Sequence, residues 1–511
     1  MGSRPAVAFG LAVGLVGLFA AGGATAQQPP AGPPSPQQQP QPQQQAQMHI
    51  PAPPRQTPAV AAAHVVPVGA ATTLQQSLAE AYSTNPTLQT ARAQLRATDE
   101  SVPQALAGWR PQVLITASAG PGFGTNEQQT PGLPSTYQPL QRIMTSEQIQ
   151  ITQPLYTGGK VPATLHRAKN QVYSTRAQLL ATEEQVLFNT AQAYVNVVQD
   201  EQLLQIDLNN EQILSRQLQS TNDRFRVGEL TRTDVAEAEA ALASVTAQRE
   251  TAEGTLQAAR ATYEQLVGQL PGHLSAPQPL KVPVQTMEEA KVLAGRNNPN
   301  VVAALFNDAA ARDAFDVAYS ALMPTVSLQF QAFRNVYSFF PGLIENGGQL
   351  LANLNVPIYQ GGSEYSAIRQ ARQQELQARK QLEDQRRTAV QLAASAWEEL
   401  AAARASIVSN RSAVRANEIA VEGLEREALV GSRTTLDVLI GIQSLLQAQT
   451  ALVQSLAALV IASYQVAEAV GRLTAHDINL SVPLYDDTAY YKAVKNLWIG
   501  TGDYATQDPG R

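Results

Sequence analysis

Residues 226–235 read RVGELTRTDV and residues 429–438 read LVGSRTTLDV, with the same Gly-to-Asp spacing 203 residues apart. They belong to a duplication that runs through most of the chain, and no other feature restricts the fold so strongly. TLQQSLAEAYSTNP (73–86) pairs with TMEEAKVLAGRNNP (286–299) at an offset of 213, and RPQVLITASA (110–119) with MPTVSLQFQA (323–332) at the same offset. TQPLYTGG (152–159) then pairs with NVPIYQGG (355–362) at 203, and that offset persists, so that Tyr194 meets Trp397 and Val267-Gly268 meets Val470-Gly471. One ten-residue difference between the two strand-like segments of each copy reconciles the offsets. The copies span 71–270 and 286–475, joined by a linker at 271–285 and followed by a tail at 476–511.

Each copy has the same internal order. Asn85-Pro86 and Asn298-Pro299 are helix starts, with Asn as N-cap and Pro as first helical residue. A helix of about 22 residues follows and stops before Pro111 or Pro324. Two segments of period-2 alternation come next. Val326, Leu328, Phe330 and Ala332 alternate with Thr325, Ser327, Gln329 and Gln331, and Leu350, Ala352, Leu354 and Val356 with mostly polar neighbours. Val113, Ile115, Ala117 and then Ile149 and Ile151 are the first-copy counterparts. One apolar and one polar face over about 10 residues suits membrane strands between lipid and water. Alternation alone also suits a half-buried hairpin.

After each Gly-Gly the pattern turns helical and stays so to residues 225 and 429, long enough for about 100 Å of helix. The return segments carry sevenfold seams. They are Val235, Leu242, Leu256, Tyr263 in one copy and Val438, Leu445, Leu452, Leu459, Val466 in the other. Small-residue seams accompany them, such as Gly441, Ala448, Ser455, Ala462 and Ala469. A period of 3.5 means coiled-coil packing. The short helix and the return helix of about 38 residues together match the unbroken one, so two helices stacked end to end can run beside it. Each copy then makes two helical tracks and each chain four. Four strands cannot close a membrane barrel, because single-chain barrels need at least about 8. Three chains would supply 12 strands and 12 tracks, so a homotrimer follows from closure.

Composition excludes several classes. The first 26 residues have a charged start at Arg4, an apolar stretch and an Ala24-Thr25-Ala26 cleavage site, the parts of a secretory signal peptide. Beyond it no helix-spanning apolar run of about 20 residues is expected. Residues 27–70 are Pro/Gln-rich and too poor in apolar residues to bury a core, so they are expected to form a disordered arm. With no cysteine there are no disulfides and no thiolate metal sites, and a lipidated N-terminal cysteine is not expected. The net charge of −6 with no basic block speaks against nucleic acid. His49, His64, His166, His273 and His476 are scattered, with no metal-binding pair, and no catalytic constellation or cofactor site stands out. Gly120-Pro121-Gly122-Phe123-Gly124 reads as part of a loop joining two strands, and Tyr490, Tyr491 and Trp498 as residues packing outside the helices.

The paired Asn-Pro starts, the PLYTGG and PIYQGG junctions and the turns RFRVGELTRTDV and LVGSRTTLDVL, duplicated in this order, resemble the TolC family of outer-membrane channel proteins over roughly residues 72–480. The resemblance implies a mainly α protein whose homotrimer forms a 12-stranded membrane β-barrel in outer-membrane lipid and a hollow α-helical barrel across the periplasm. It implies an exit duct for type I protein secretion or multidrug efflux. The partners would be a periplasmic adaptor docked on the turns and an inner-membrane ABC or RND (proton-driven) transporter. The docking residues it points to are Val227, Gly228, Glu229 and Leu230 with Val430, Gly431 and Ser432. By the same resemblance Asp437 would form an acidic ring at the constriction, with Arg433 and Asp234 holding neighbouring helices closed. The chain departs from the family pattern at Ile440, where a second acidic ring is found, and at Ala428, which replaces a latch tyrosine.

Local chemistry reads these turns on its own terms. Each Val-Gly is where a long helix reverses, with Gly in the left-handed position. Thr231 with Asp234, and Thr434 with Asp437, have capping-box spacing, and helix capping alone would account for both aspartates. A secreted trimeric coiled-coil fibre or adhesin would share the signal peptide and heptads but has no need of two strand pairs.

Overall fold

A computed structural model describes residues 73–129, 131–336 and 344–502. The expected signal peptide and Pro/Gln arm lie outside the described residues. The first copy comprises α1 (Leu74–Thr84), α2 (Pro86–Asp99), α3 (Ser101–Leu106), β1 (Gln112–Gln128), β2 (Thr136–Tyr156), α4 (Lys160–Arg226) and α5 (Arg232–Val267). The second comprises α6 (Met287–Asn297), α7 (Pro299–Tyr319), β3 (Thr325–Val336), β4 (Ile344–Asn355), α8 (Ser363–Leu429) and α9 (Thr435–Ala469), and α10 (Ala489–Val494) lies in the tail. The duplication is therefore one of structure as well as sequence, down to two 67-residue helices.

The helices stack end to end, through a device the Asn-Pro motif only half announced. Asn85 Oδ1 accepts from the Thr87 N–H, capping α2, while its Nδ2 donates 3.0 Å to the Leu266 carbonyl near the end of α5. Asn298 likewise caps α7 at Asn300 and donates 3.2 Å to the Ala469 carbonyl of α9. One amide thus satisfies an orphan donor of one helix and an orphan acceptor of the next. The spliced tracks lie against α4 and α8, with Tyr194 and Tyr263 fully buried between α4 and α5.

Three features differ from the sequence reading. The first short helix is not continuous: it breaks at Glu100, restarts as α3 across Pro103 and finishes in a 3₁₀ turn at 107–109, whereas α7 runs unbroken. The added helices α1 and α6 precede each Asn-Pro; Thr73 and Gln76 form a capping box that starts α1. The glycine-rich 120–124 stretch is not a loop but lies inside β1, with Gly120 opposite Met144 and Pro121 opposite Ile143. An edge strand tolerates proline, and the paired partner strand carries the Gly-rich backbone into extended structure.

A fourth difference concerns hydropathy. Among the described residues one helix, α9, is long and apolar enough to cross a membrane, although glutamines interrupt its apolar run. Most of its apolar stretch is not buried within one chain. Its apolar residues serve lateral packing, partly against α8 and α4.

The four strands form one antiparallel sheet in the order β1-β2-β3-β4, with a register shift where Pro154 and Tyr156 of β2 meet β3. Its two faces are opposite in character. Val113, Ile115, Ile149, Phe330, Leu350 and Leu354 share one face and are all exposed. The other face carries side-chain ladders, Gln148 to Gln150 to Thr152 (3.1 and 3.2 Å), Gln349 to Gln331 (2.9 Å) and Asn353 to Gln329 (2.8 Å). Within one chain β1 and β4 are the two edges.

Candidate functional site

The two turns that reverse the long helices are built alike. Val227 closes α4, and Gly228 follows at φ +83; Val430 closes α8, and Gly431 follows at φ +77. The Glu229 N–H reaches back 3.0 Å to the Arg224 carbonyl and the Gly228 N–H 3.0 Å to that of Phe225. Ser432 N–H to Glu427 (3.0 Å) and Gly431 N–H to Ala428 (3.2 Å) repeat the pattern. This paired bonding needs a left-handed residue, which is why glycine occupies both places.

The return helices start from the capping boxes that their spacing predicts. The Thr231 N–H donates 2.8 Å and its hydroxyl 2.6 Å to Asp234 Oδ2, and the Asp234 N–H donates back to Thr231 Oγ1 at 3.3 Å. Thr434 and Asp437 do the same at 3.0, 2.9 and 3.2 Å. The hydrogen bonds from Thr231 hold Asp234 below the usual carboxylate range, and those from the Thr434 backbone and hydroxyl, with Arg433 adding to them, do so for Asp437. Both carboxylates are therefore anionic and aimed by their caps.

The remaining expected residues are placed as follows. Arg433 Nε donates to Glu427 Oε2 at 2.9 Å, so within one chain its direct partner is Glu427 and not Asp437 or Asp234. Arg224 likewise holds Glu229 at 3.0 Å. Neither pair was visible beforehand, because each spans five or six residues across a turn, outside the helical i,i+4 rule. Val227, Leu429 and Val430 stand out from the turns, with Val430 79% exposed. Gly228, Glu229, Gly431 and Ser432 are exposed with them, and Leu230 is half-buried. Ile440 is 54% exposed and, with Leu436, Leu439 and Leu446, lines an apolar cavity of about 260 Å³ between α5 and α9. Ala428 is partly buried against the apolar cluster that includes Val438, Leu439 and Ile442.

Away from the turns a buried acidic pair on α4 holds the segment that follows α9. Glu183 and Glu184 of α4 accept the N–H groups of Ala475 (2.8 Å) and Leu473 (3.3 Å). Burial pushes Glu184 up to about 8 and raises Glu183, and burial also lifts Glu468 to about 7. Tyr490 donates to Glu100 Oε1 at 2.8 Å and Tyr491 lies under the Arg176 guanidinium, so these tail aromatics do pack on the helices.

Residues 77–269 and 292–474 match the sequence model of the outer membrane efflux protein family. The chain is 34% identical over 431 residues to the outer membrane efflux protein BepC of Brucella suis biovar 1, covering 84% of this chain and 91% of that one. It is 27% identical over 429 residues to the outer membrane protein TolC of Escherichia coli K12, covering 79% and 83%. The outer membrane protein VceC of Vibrio cholerae has a similar solved structure, with a TM-score of 0.68 at 21% identity over 78% of this chain and 96% of that chain. The Campylobacter jejuni CmeC outer membrane channel gives a TM-score of 0.70 at 16% identity over 83% and 89%.

Proposed function

The chain belongs to the outer membrane efflux protein family, and from that premise we propose that three copies join their sheets into one 12-stranded membrane β-barrel, continued by 12 helical tracks into the periplasm. As a member it is an outer-membrane channel that serves as an exit duct for efflux or secretion. The observation that carries the trimer is the sheet: two open edges, an exposed apolar face and a hydrogen-bonded amide face. Edges in lipid leave backbone groups unsatisfied, and closure with other copies removes them. A secreted fibre would gain nothing from such a sheet.

The helix turns form the periplasmic mouth in this reading. Exposed Val227 and Val430, with Gly228, Glu229, Leu230, Gly431 and Ser432, offer a periplasmic adaptor three copies of each turn, and an inner-membrane ABC or RND transporter supplies cargo behind it. Asp437 recurs three times near the axis as an anionic ring that favours cations. Ile440 narrows the passage one turn further in. Arg433 and Asp234 restrain the closed state, with Glu427 competing for Arg433. Native mass spectrometry of the detergent-purified protein tests the assembly: trimers are expected, and stable monomers alone would refute it.

A further inference from the structure

Several aromatic side chains gather where the sheet meets the helices. Trp109 and Arg110 stand just before β1, Tyr156 ends β2, and Tyr359 follows β4 by four residues. Trp109, Tyr156 and Tyr359 are all exposed. The Gln153 side-chain amide donates 2.9 Å to the Trp109 carbonyl, fixing that turn to β2.

The C-terminal tail arrives at the same place. It is fastened upstream by Tyr490 on Glu100, by the 3.6 Å Arg176–Asp487 pair and by Tyr491 beneath Arg176. Arg110 then donates to the Leu497 carbonyl at 2.5 Å, and its guanidinium stands 4.8 Å from the centre of the Trp498 ring. The segment is clamped up to this point and is no loose end. Yet the next two side chains are left outside: Trp498 is 66% exposed and Ile499 91%.

We propose that Trp498 and Ile499 are an interfacial anchor that enters the periplasm-facing phospholipid leaflet of the outer membrane at the foot of the barrel. The proposal rests on the reading of the sheet as a membrane barrel, which sets the level of Arg110 at the lower membrane surface. An indole has an apolar body for the acyl boundary and an N–H for ester or phosphate oxygens. The Arg110 head group beside it is the cation that such a boundary accepts, and its stem covers apolar surface. Trp109, Tyr156 and Tyr359 at the same strand ends are exposed as well and continue the belt. Lipid accounts for this composition better than a second copy, because the exposed pair is flanked by a cation and by other exposed aromatics at one level.

The chain has three tryptophans, so W109F/W397F leaves Trp498 as the sole emitter. Full-length protein carrying this pair is reconstituted in phosphatidylethanolamine and phosphatidylglycerol vesicles with brominated acyl chains. Trp498 emission should be blue-shifted, strongly quenched by the bromolipid and little affected by aqueous acrylamide. If trimers float with the vesicles but Trp498 is quenched by acrylamide alone, the anchor is wrong and the barrel stands. Quenching by neither agent, with floating trimers, assigns the residue to a contact with a second copy and also overturns the anchor. Protein that does not float with vesicles overturns barrel and anchor together. Should the double variant not fold, W498F in the otherwise native chain is compared instead, and an unchanged bromolipid quenching refutes the proposal.

Discussion

Replacing Gly471 with alanine should destabilise the protein far more than replacing its counterpart Gly268. Both follow a return helix in the left-handed region, at φ +74 and +92, where a Cβ costs about 1 kcal/mol. Their surroundings differ. A Cβ at Gly471 would stand 2.6 Å from the Asn297 carbonyl oxygen, 3.0 Å from its carbon and 3.2 Å from Asn298 Cα. At Gly268 the nearest atom is Thr84 Oγ1 at 3.8 Å, an ordinary contact. The obstacle at Gly471 is backbone, and it lies where Asn298 both caps α7 and holds the Ala469 carbonyl, so relief must open the splice. Overpacking of this kind adds roughly 1–3 kcal/mol, which puts Gly471→Ala at about 2–4 kcal/mol and Gly268→Ala at about 1. Trp397 packs against the buried cluster that contains Val466, Ala469 and Val470 and so reports on that region. Urea unfolding followed by its fluorescence, in a W109F/W498F background, should show a small midpoint shift for Gly268→Ala and a large one for Gly471→Ala at unchanged slope. Equal shifts would refute the idea that the approach of the Asn297 backbone, and not φ alone, dictates glycine there.

Other outcomes follow from the turns and the acidic cluster. Asp437→Ala should reduce cation selectivity and raise single-channel conductance in planar bilayers. Thr434→Ala, which weakens the same cap by about 1 kcal/mol but keeps the charge, should leave selectivity as it is; selectivity unchanged in both would reduce Asp437 to a helix cap. A Cβ at Gly431 would meet no atom within 4 Å, so the backbone cost of Gly431→Leu is the φ penalty, and trimers should persist while export fails. Normal export at wild-type protein levels would remove the turn from the docking surface. Glu184→Gln should flatten the alkaline loss of stability. Burial holds Glu184 at about 8 in the folded chain against 4.5 unfolded, so its contribution is complete below pH 4.5 and is lost as pH rises through 8. The variant keeps an acceptor for Leu473 without the charge; it should match wild type near pH 5 and exceed it above pH 8, and parallel pH profiles would contradict this.

What could be read in advance was what local rules govern. The capping boxes at Thr231 and Thr434, the glycines at 228 and 431, and the alternation of β3 each depend on residues a few positions apart. The misreadings came where a partner lies far away in sequence. Residues 120–124 have a loop's composition, and only pairing with residues 140–144 makes them strand. The second role of Asn85 needs Leu266, 181 residues on, and no spacing rule reaches that far. Glu427 takes Arg433 because the glycine turn folds the chain back on itself, and helical spacing gives no hint of it. The burial of Glu183 and Glu184 likewise depends on Ala475 and Leu473, 292 and 289 residues further along the chain.

The Asn splices have a mechanical consequence. Along α4 or α8 a pull is shared by parallel i→i−4 bonds through every turn of 67 residues. At the junctions of α5 with α2 and α9 with α7 the covalent chain does not continue, and the side-chain amides of Asn85 and Asn298 carry polar contacts across the gap. In a duct assembled as proposed, stiff staves would alternate with jointed ones. Twisting or bending the helices would concentrate strain at these joints, and a joint that slips can take up a rotation that an unbroken helix would have to resist along its whole length.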